Sequence, residues 1–338
     1  MALFLFASVS VNAAEEGDQT PFRSAQLIYN KIEGYPSCHA ATIVELPDGN
    51  LMAAWYAGAY EKAKDVAIFA SIRTKGNKDW NEPYILYDAP DLSEGNPVLF
   101  TDKKGRVWFF FVTMFGDMWT DCKVFYMYSD DGAKTWSEKV TLKEEKGWMT
   151  RNKPIELADG TIALPMYNEV AWSPAFFLTK DRGEHWALKA EDLRVPGGAI
   201  QPSIVVRKDG SLMAFLRTGE PGGNIWTVTS EDDGKTWGNP ARTKLPNPNA
   251  GIDAVNLASG GIALAFNDSP YDRTPLSVGL SYDDGETWPR RVKIEKRFGE
   301  YSYPAIIQSS DGIIHVVYTY KRQQIKHVEF NETWLKGK

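Results

Sequence analysis

The sequence predicts an all-β fold, a six-bladed β-propeller with four short strands per blade. Three observations carry that prediction: a turn motif repeated at an even interval, a second ladder of hairpin turns between its copies, and no stretch of sustained helical periodicity.

The first ladder is explicit. Ser230-Glu-Asp232-Asp-Gly234-Lys-Thr236-Trp237 matches Ser281-Tyr-Asp283-Asp-Gly285-Glu-Thr287-Trp288 position for position. Thr179 to Trp186 keeps the pattern with Thr179 and His185 substituted, and Ser129 to Trp136 keeps it with Ala133 in a glycine position. A degenerate copy ends at Trp80, so the closing tryptophans fall at 80, 136, 186, 237 and 288, at intervals of 56, 50, 51 and 51. The motif is a local turn: Asp binds backbone N–H groups, Gly supplies a positive φ, and Trp packs beneath. A structural role for these Asp residues follows.

The second ladder consists of tight-turn dipeptides at Asp48-Gly49, Lys104-Gly105, Asp159-Gly160, Asp209-Gly210, Gly260-Gly261 and Asp311-Gly312. Each is flanked by short apolar runs, such as Pro202 to Arg207 before and Leu212 to Leu216 after, which reads as a hairpin of two buried strands. Six hairpins against five Trp-terminated repeats imply that the sixth blade is completed by a strand from the N-terminal region. One propeller domain is expected over 22–335.

Residues 2–12 are an apolar run followed by Ala13, Ala14, Glu15 and Glu16, which reads as a secretory signal segment over 1–14 and places the protein outside the cytoplasm, secreted or periplasmic. It is too short to span a bilayer, and no later stretch is apolar enough to do so. The net charge of −6, with basic residues scattered singly, argues against a nucleic-acid partner. Cys38 and Cys122 lie far apart and outside any C-x-x-C, so two free buried thiols are expected. The four histidines, His39, His185, His315 and His327, fall on different repeats without ligand spacing, and no dinucleotide or phosphate-loop fingerprint occurs; neither metal nor cofactor is expected.

If the Asp-Gly turns share one rim, residues about eight positions away lie on the other, because ~8 residues at ~3.3 Å cross a blade. Before the turns this selects His39, Asn96, Arg151, Gln201, Ile252 and Tyr303; after them, Tyr56, Tyr167, Arg217, Asp268 and Thr319. A polar and aromatic ring around a propeller axis is the expected binding site.

The hairpin register and the repeated motif, an Asp-box, are similar to those of sialidases (neuraminidases) and related BNR-repeat proteins over nearly the whole chain. The resemblance implies three arginines around a substrate carboxylate, a tyrosine nucleophile assisted by a glutamate, and an aspartate acid/base. Arg217 then sits where the second arginine belongs, Arg273 where the third belongs, and Tyr303 where the nucleophile belongs, with Tyr301 its neighbour and competitor. Two positions depart. The first arginine is replaced by the segment Cys38-His39-Ala40, and the glutamate by Gln201, which cannot take a phenol's proton. Glu61 and Asp65 lie on the loop of the acid/base, Glu169 is a further rim carboxylate, His39 could act as acid or base, and Arg151 and Lys153 add positive charge.

Three functions remain open at this level. The first is an exo-acting glycosidase on a terminal acidic sugar, with Arg217 and Arg273 on the carboxylate, Tyr303 at the anomeric centre and Glu61 or Asp65 as acid. The second is a uronate lyase using His39 and Tyr303, and the third a glycan-binding propeller without catalysis.

Overall fold

Each Asp-box closes on itself through its own side chains. In the copy before Trp288, Asp283 Oδ1 accepts the Thr287 N–H at 2.9 Å, Asp283 Oδ2 accepts the Thr287 hydroxyl at 2.5 Å, and Ser281 Oγ accepts the Gly285 N–H at 3.0 Å. The copies at Asp131 and Asp232 repeat these bonds, and in the third copy His185 takes the threonine's place, its Nδ1 lying 2.6 Å from Asp181. Gly285 has φ +85°, and a Cβ there would meet the Phe215 ring at 2.9 Å, so the turn needs glycine for both conformation and room.

The computed structural model describes residues 20–337; the expected signal segment lies outside them. Strand β1 (Arg23–Leu27) comes first. Blade 1 holds β2 (Ser37–Glu45), β3 (Leu51–Gly58), β4 (Ala67–Arg73) and β5 (Tyr84–Tyr87); blade 2 holds β6 (Ser93–Thr101), β7 (Val107–Met114), β8 (Cys122–Ser129) and β9 (Val140–Lys143). In blade 3 the inner strand is broken into β10 (Trp148–Thr150) and β11 (Ile155–Glu156), followed by β12 (Ile162–Asn168), β13 (Ser173–Thr179) and β14 (Ala187–Lys189). Blade 4 is β15 (Ala199–Val206), β16 (Leu212–Thr218), β17 (Gly223–Ser230) and β18 (Ala241–Asn247), and blade 5 is β19 (Asp253–Asn256), β20 (Ile262–Asn267), β21 (Leu276–Ser281) and β22 (Arg290–Glu295). Blade 6 is β23 (Tyr301–Gln308), β24 (Ile314–Tyr320) and β25 (Gln324–Phe330), with β1 as its outer strand, paired from Arg23↔Phe330 to Leu27↔Lys326. The expected N-terminal completion of the ring is thus what closes it. Among the described residues the one α-helix is Glu332–Lys336, and no helix is long and apolar enough to cross a membrane.

Four of the five tryptophans that end the repeats meet an aromatic ring of the blade before their own, while Trp136 packs on Phe109 of its own blade. Trp237 stacks on Phe176 of blade 3 with centroids 3.8 Å apart, Trp288 meets Phe215 of blade 4 edge-on, and Trp186 meets Trp108 and Phe110 of blade 2. Trp80 does the same across the closure, meeting His327 of blade 6, beside an Arg73–Glu329 ion pair of 2.7 Å. Here the sequence expectation needs correcting. His315 and His327 lie not on different repeats but on neighbouring strands of blade 6, with ring nitrogens 3.0 Å apart. Their near-parallel rings have centroids 5.2 Å apart, which puts both nitrogens on the line between rings. The 3.0 Å separation of the nitrogens is a hydrogen bond between the two rings, and Glu329 Oε2 lies 3.5 Å from His315 Nδ1 beside it.

Cys38 and Cys122 are free and buried, as expected, and burial pushes the Cys38 thiol up to about 12. Glu94 is also fully buried, on β6. Burial pushes its carboxyl up to about 8, against the opposing hydrogen bond from Thr113 at 2.8 Å. The folded state therefore keeps the proton while the unfolded chain loses it from about 4.5 upward, so stability falls by about 1.4 kcal/mol per pH unit between those values and levels off above about 8. Glu94→Gln keeps the acceptor for Thr113 and removes the titration. Urea unfolding across this range should show the variant more stable than the parent at neutral and alkaline pH, with the difference vanishing below about 4.5; parallel curves would refute the assignment.

Candidate active site

The inner strands share one device. Four carry a β-bulge whose central residue has a positive φ: Ala40 at 56°, Asn96 at 43°, Gln201 at 55° and Tyr303 at 53°. In three of them a proline follows, at Pro97, Pro202 and Pro304. The strained backbone stops the strand from continuing its alternation and brings Asn96, Gln201 and Tyr303 to the lining of one cavity near the axis. The gap between β10 and β11 places Arg151 and Lys153 in the channel beneath.

The cavity has a volume of about 170 Å³, and its polar wall is formed chiefly by Glu61, Glu169, Arg217, Arg273, Tyr303 and Arg322. Tyr56, Asn96, Tyr167, Gln201, Trp119 and Trp172 complete its sides. Arg217 is the centre of the hydrogen bonding: Nη1 donates to the Tyr303 hydroxyl at 2.6 Å and to Gln201 Oε1 at 3.2 Å, while Nε donates to Asn249 Oδ1 at 2.7 Å. Gln201 Nε2 donates to the Tyr303 and Tyr167 hydroxyls at 3.3 and 3.4 Å. Glu300 Oε1 accepts from Arg273 at 2.8 Å and from Arg322 Nε at 2.7 Å, and Arg322 Nη1 reaches Glu61 at 2.5 Å. Two of the three arginines that face the cavity, Arg273 and Arg322, are therefore braced against each other by Glu300, with Glu61 a second partner of Arg322, whereas Arg217 has no carboxylate partner.

Burial works against ionisation of Tyr303, but the guanidinium groups of Arg217 and Arg273 and the Gln201 hydrogen bond outweigh it and hold the phenol below its ordinary value. Tyr56 and Tyr167 go the other way, pushed up mainly by burial. Glu169 is also pushed up by burial, with Arg217 opposing. His39 is buried against the Tyr303 ring, centroids 4.1 Å apart, with Nδ1 on Thr319 Oγ1 at 2.8 Å. Burial, reinforced by Arg322, Arg273, Arg151 and Arg217, keeps it neutral.

Tyr303, Gln201, Arg217, Arg273, Glu61 and Glu169 thus meet in one cavity, as does Tyr56. Other residues named from the sequence lie elsewhere. Tyr301 is buried in the core between blades 5 and 6, its ring against Tyr320. Asp65 is exposed, and its carboxylate accepts the Ala59 N–H at 3.1 Å, closing its own loop. His39 stands behind Tyr303 and not on the cavity wall. Arg151 lies below it, donating to the carbonyls of Tyr303 and Pro304 at 2.7 and 3.1 Å, and Lys153 is paired with Asp253 at 2.7 Å. Asp268 is paired with Arg291, and Ile252 is core. Sequence reasoning missed Arg322 and Glu300. Arg322 occupies the turn between β24 and β25, off both ladders, and only its place in a Lys-Arg turn pointed to it.

Comparison with known proteins adds a family and a fold. Residues 49–316 match the family model described as a BNR repeat-like domain. A sialidase of Micromonospora viridifaciens is 25% identical over 95% of this chain and 55% of its own length. The chain spans about half or less of the length of the curated relatives it matches. Among solved structures, a Dyadobacter fermentans protein of unknown function has a TM-score of 0.79 at 16% identity, covering 91% of this chain and 97% of that one. A leech intramolecular trans-sialidase complexed with 2,7-anhydro-Neu5Ac has a TM-score of 0.79 at 16% identity, covering 93% and 71%. At that identity the likeness is one of fold.

Proposed function

The chain belongs to the BNR repeat-like domain family, within the sialidase superfamily, and we propose that it is an exo-acting glycoside hydrolase removing a terminal acidic sugar from a glycan. One observation carries the reading: Arg217, Arg273 and Arg322 converge on the small cavity that holds the Tyr303 hydroxyl. Planar guanidinium groups suit a carboxylate because each can donate two parallel hydrogen bonds. A volume of ~170 Å³ falls below the ~300–1,000 Å³ typical of larger ligand sites, which favours a single terminal residue over a chain passing through.

In this reading Arg273 and Arg322 orient the carboxylate, Arg322 standing in for the arginine that Cys38-His39-Ala40 lacks. Tyr303 attacks the anomeric carbon. Glu169, pushed toward its protonated form by burial and lining the cavity, is the acid that protonates the leaving oxygen. Glu61 is committed to Arg322 and Asp65 to the Ala59 amide, so both serve the site better as braces.

The test is release of chromophore from a panel of sialosides, uronides and neutral glycosides. Activity confined to acidic sugars is expected, with kcat/KM falling as pH rises and Glu169 loses its proton, and with that limb absent in Glu169→Gln. Release from neutral glycosides alone would overturn the carboxylate reading. A uronate lyase is the second reading, favoured by the contact between His39 and Tyr303; it would give an unsaturated product absorbing in the ultraviolet, which hydrolysis does not.

A further inference from the structure

The arginines around Tyr303 are not matched by carboxylates. Glu300 and Glu61 are taken up by Arg273 and Arg322. Arg217, 8% exposed, has only neutral partners in Asn249, Gln201 and the Tyr303 oxygen. Arg151, 2% exposed, donates only to two backbone carbonyls, and its Nε has no partner among the described residues. Asp253, the carboxylate in the channel beneath, is held by Lys153. Arg217 is thus a buried guanidinium without a paired carboxylate, and Arg151 shares the one charge of Asp253 with Lys153, an arrangement short of negative charge and costly to leave so.

The hydrogen bonding at Tyr303 points the same way. Its oxygen accepts from Arg217 at 2.6 Å and from Gln201 at 3.3 Å, and no acceptor for its own proton occurs among the described residues. Turning the Gln201 amide over would set its NH2 group against the Arg217 N–H that now donates to Oε1, so the amide must offer its N–H to the phenol. Arg151, Arg217 and Arg273 lie 5.1, 5.6 and 5.6 Å from the centre of the ring.

We infer that Tyr303 rests as a phenolate, the counter-ion of Arg217, and so is a nucleophile that needs no carboxylate base. The remaining titratable neighbours are compatible with this: burial keeps His39 neutral and Tyr56 and Tyr167 protonated, burial pushes Glu169 toward its protonated form against the pull of Arg217, and Glu61 is held by Arg322. Gln201 then belongs to a different way of charging the tyrosine, because a carboxylate at that position would compete with the phenolate for Arg217. The inference rests on Tyr303 being the reacting group of the proposed hydrolase. In the step, the phenolate oxygen bonds to the anomeric carbon as the bond to the leaving oxygen breaks, and that oxygen takes the proton of Glu169. Water then displaces the phenolate and returns a proton to Glu169.

The experiment is near-ultraviolet difference spectroscopy of the whole chain, wild type minus Tyr303→Phe, at neutral pH and without substrate. About one tyrosinate per chain is expected, whereas an ordinary tyrosine ionises near pH 10. Acid titration of the wild type should remove the band in a single-proton transition below neutrality, and Arg217→Met should move that transition to higher pH by at least about one unit. The wild-type titration stands alone if Tyr303→Phe fails to fold. A wild type without the band until near pH 10 overturns the inference. Inactivity on the sugar panel with the band present would overturn the substrate reading instead, so the two failures are distinguishable.

Discussion

Tyr303→Phe is expected to lower kcat on an acidic glycoside by at least about three orders of magnitude, roughly 4 kcal/mol of transition-state stabilisation. The substitution removes one oxygen and leaves the ring, its contact with His39 and its place over Arg151 intact. KM should therefore change little, because the carboxylate is held by Arg273 and Arg322, which do not bond to the phenol. A tyrosine nucleophile passes through a covalent glycosyl intermediate, so the parent should release the sugar with retained configuration, readable by proton resonance of the first-formed anomer. Its rate should fall on the acid side as the phenolate takes up a proton and on the alkaline side as Glu169 gives one up, a bell whose acid limb belongs to Tyr303. Residual kcat above a tenth of the parent in Tyr303→Phe would remove Tyr303 from the chemistry.

Asp253→Ala should be the most damaging single change to stability, by about 3–5 kcal/mol. Asp253 opens β19 of blade 5 and is almost fully buried. One oxygen accepts the Lys153 ammonium of blade 3 at 2.7 Å and the Ile306 N–H of blade 6 at 2.9 Å, and the other accepts the Ser203 hydroxyl of blade 4 at 2.8 Å. One carboxylate thus ties four blades below the cavity floor. Alanine would strand a buried ammonium and two further donors, whereas Asp253→Asn keeps acceptor capacity and loses only the charge, so it should cost less. Urea midpoints for the two variants check the order. An alanine variant within about 1 kcal/mol of the parent would mean that the channel admits water and is not the dry strut described.

About half of the site is legible in the sequence. Tyr303, Gln201 and Arg217 could be placed by counting from the Asp-Gly turns, because a strand advances a near-constant distance per residue and six equivalent hairpins share one register. The count worked even though bulges at Asn96, Gln201 and Tyr303 break the alternation, since the same bulge recurs in those blades. It misplaced Ile252, which belongs to the core. The departure at Gln201 was visible too, but its meaning was not, because that depends on which guanidinium groups lack carboxylates. Asp65 and Glu61 could not be told apart: they share one short loop, and only folding turns one toward the Ala59 amide and the other toward Arg322.

What the sequence by itself determined is the propeller: Asp-boxes and tight hairpins are built from bonds spanning two to four residues, such as Asp283 to Thr287, so their repetition can be read as text. What only the tertiary structure decided is the charge balance at the axis. Arg322 meets Glu61 across 261 residues, Arg151 meets Tyr303 across 152, and Arg217 meets Tyr303 across 86. Electrostatic interactions in a buried site depend on distance and desolvation and not on order along the chain, so no local pattern could say which arginine would be left for the phenol.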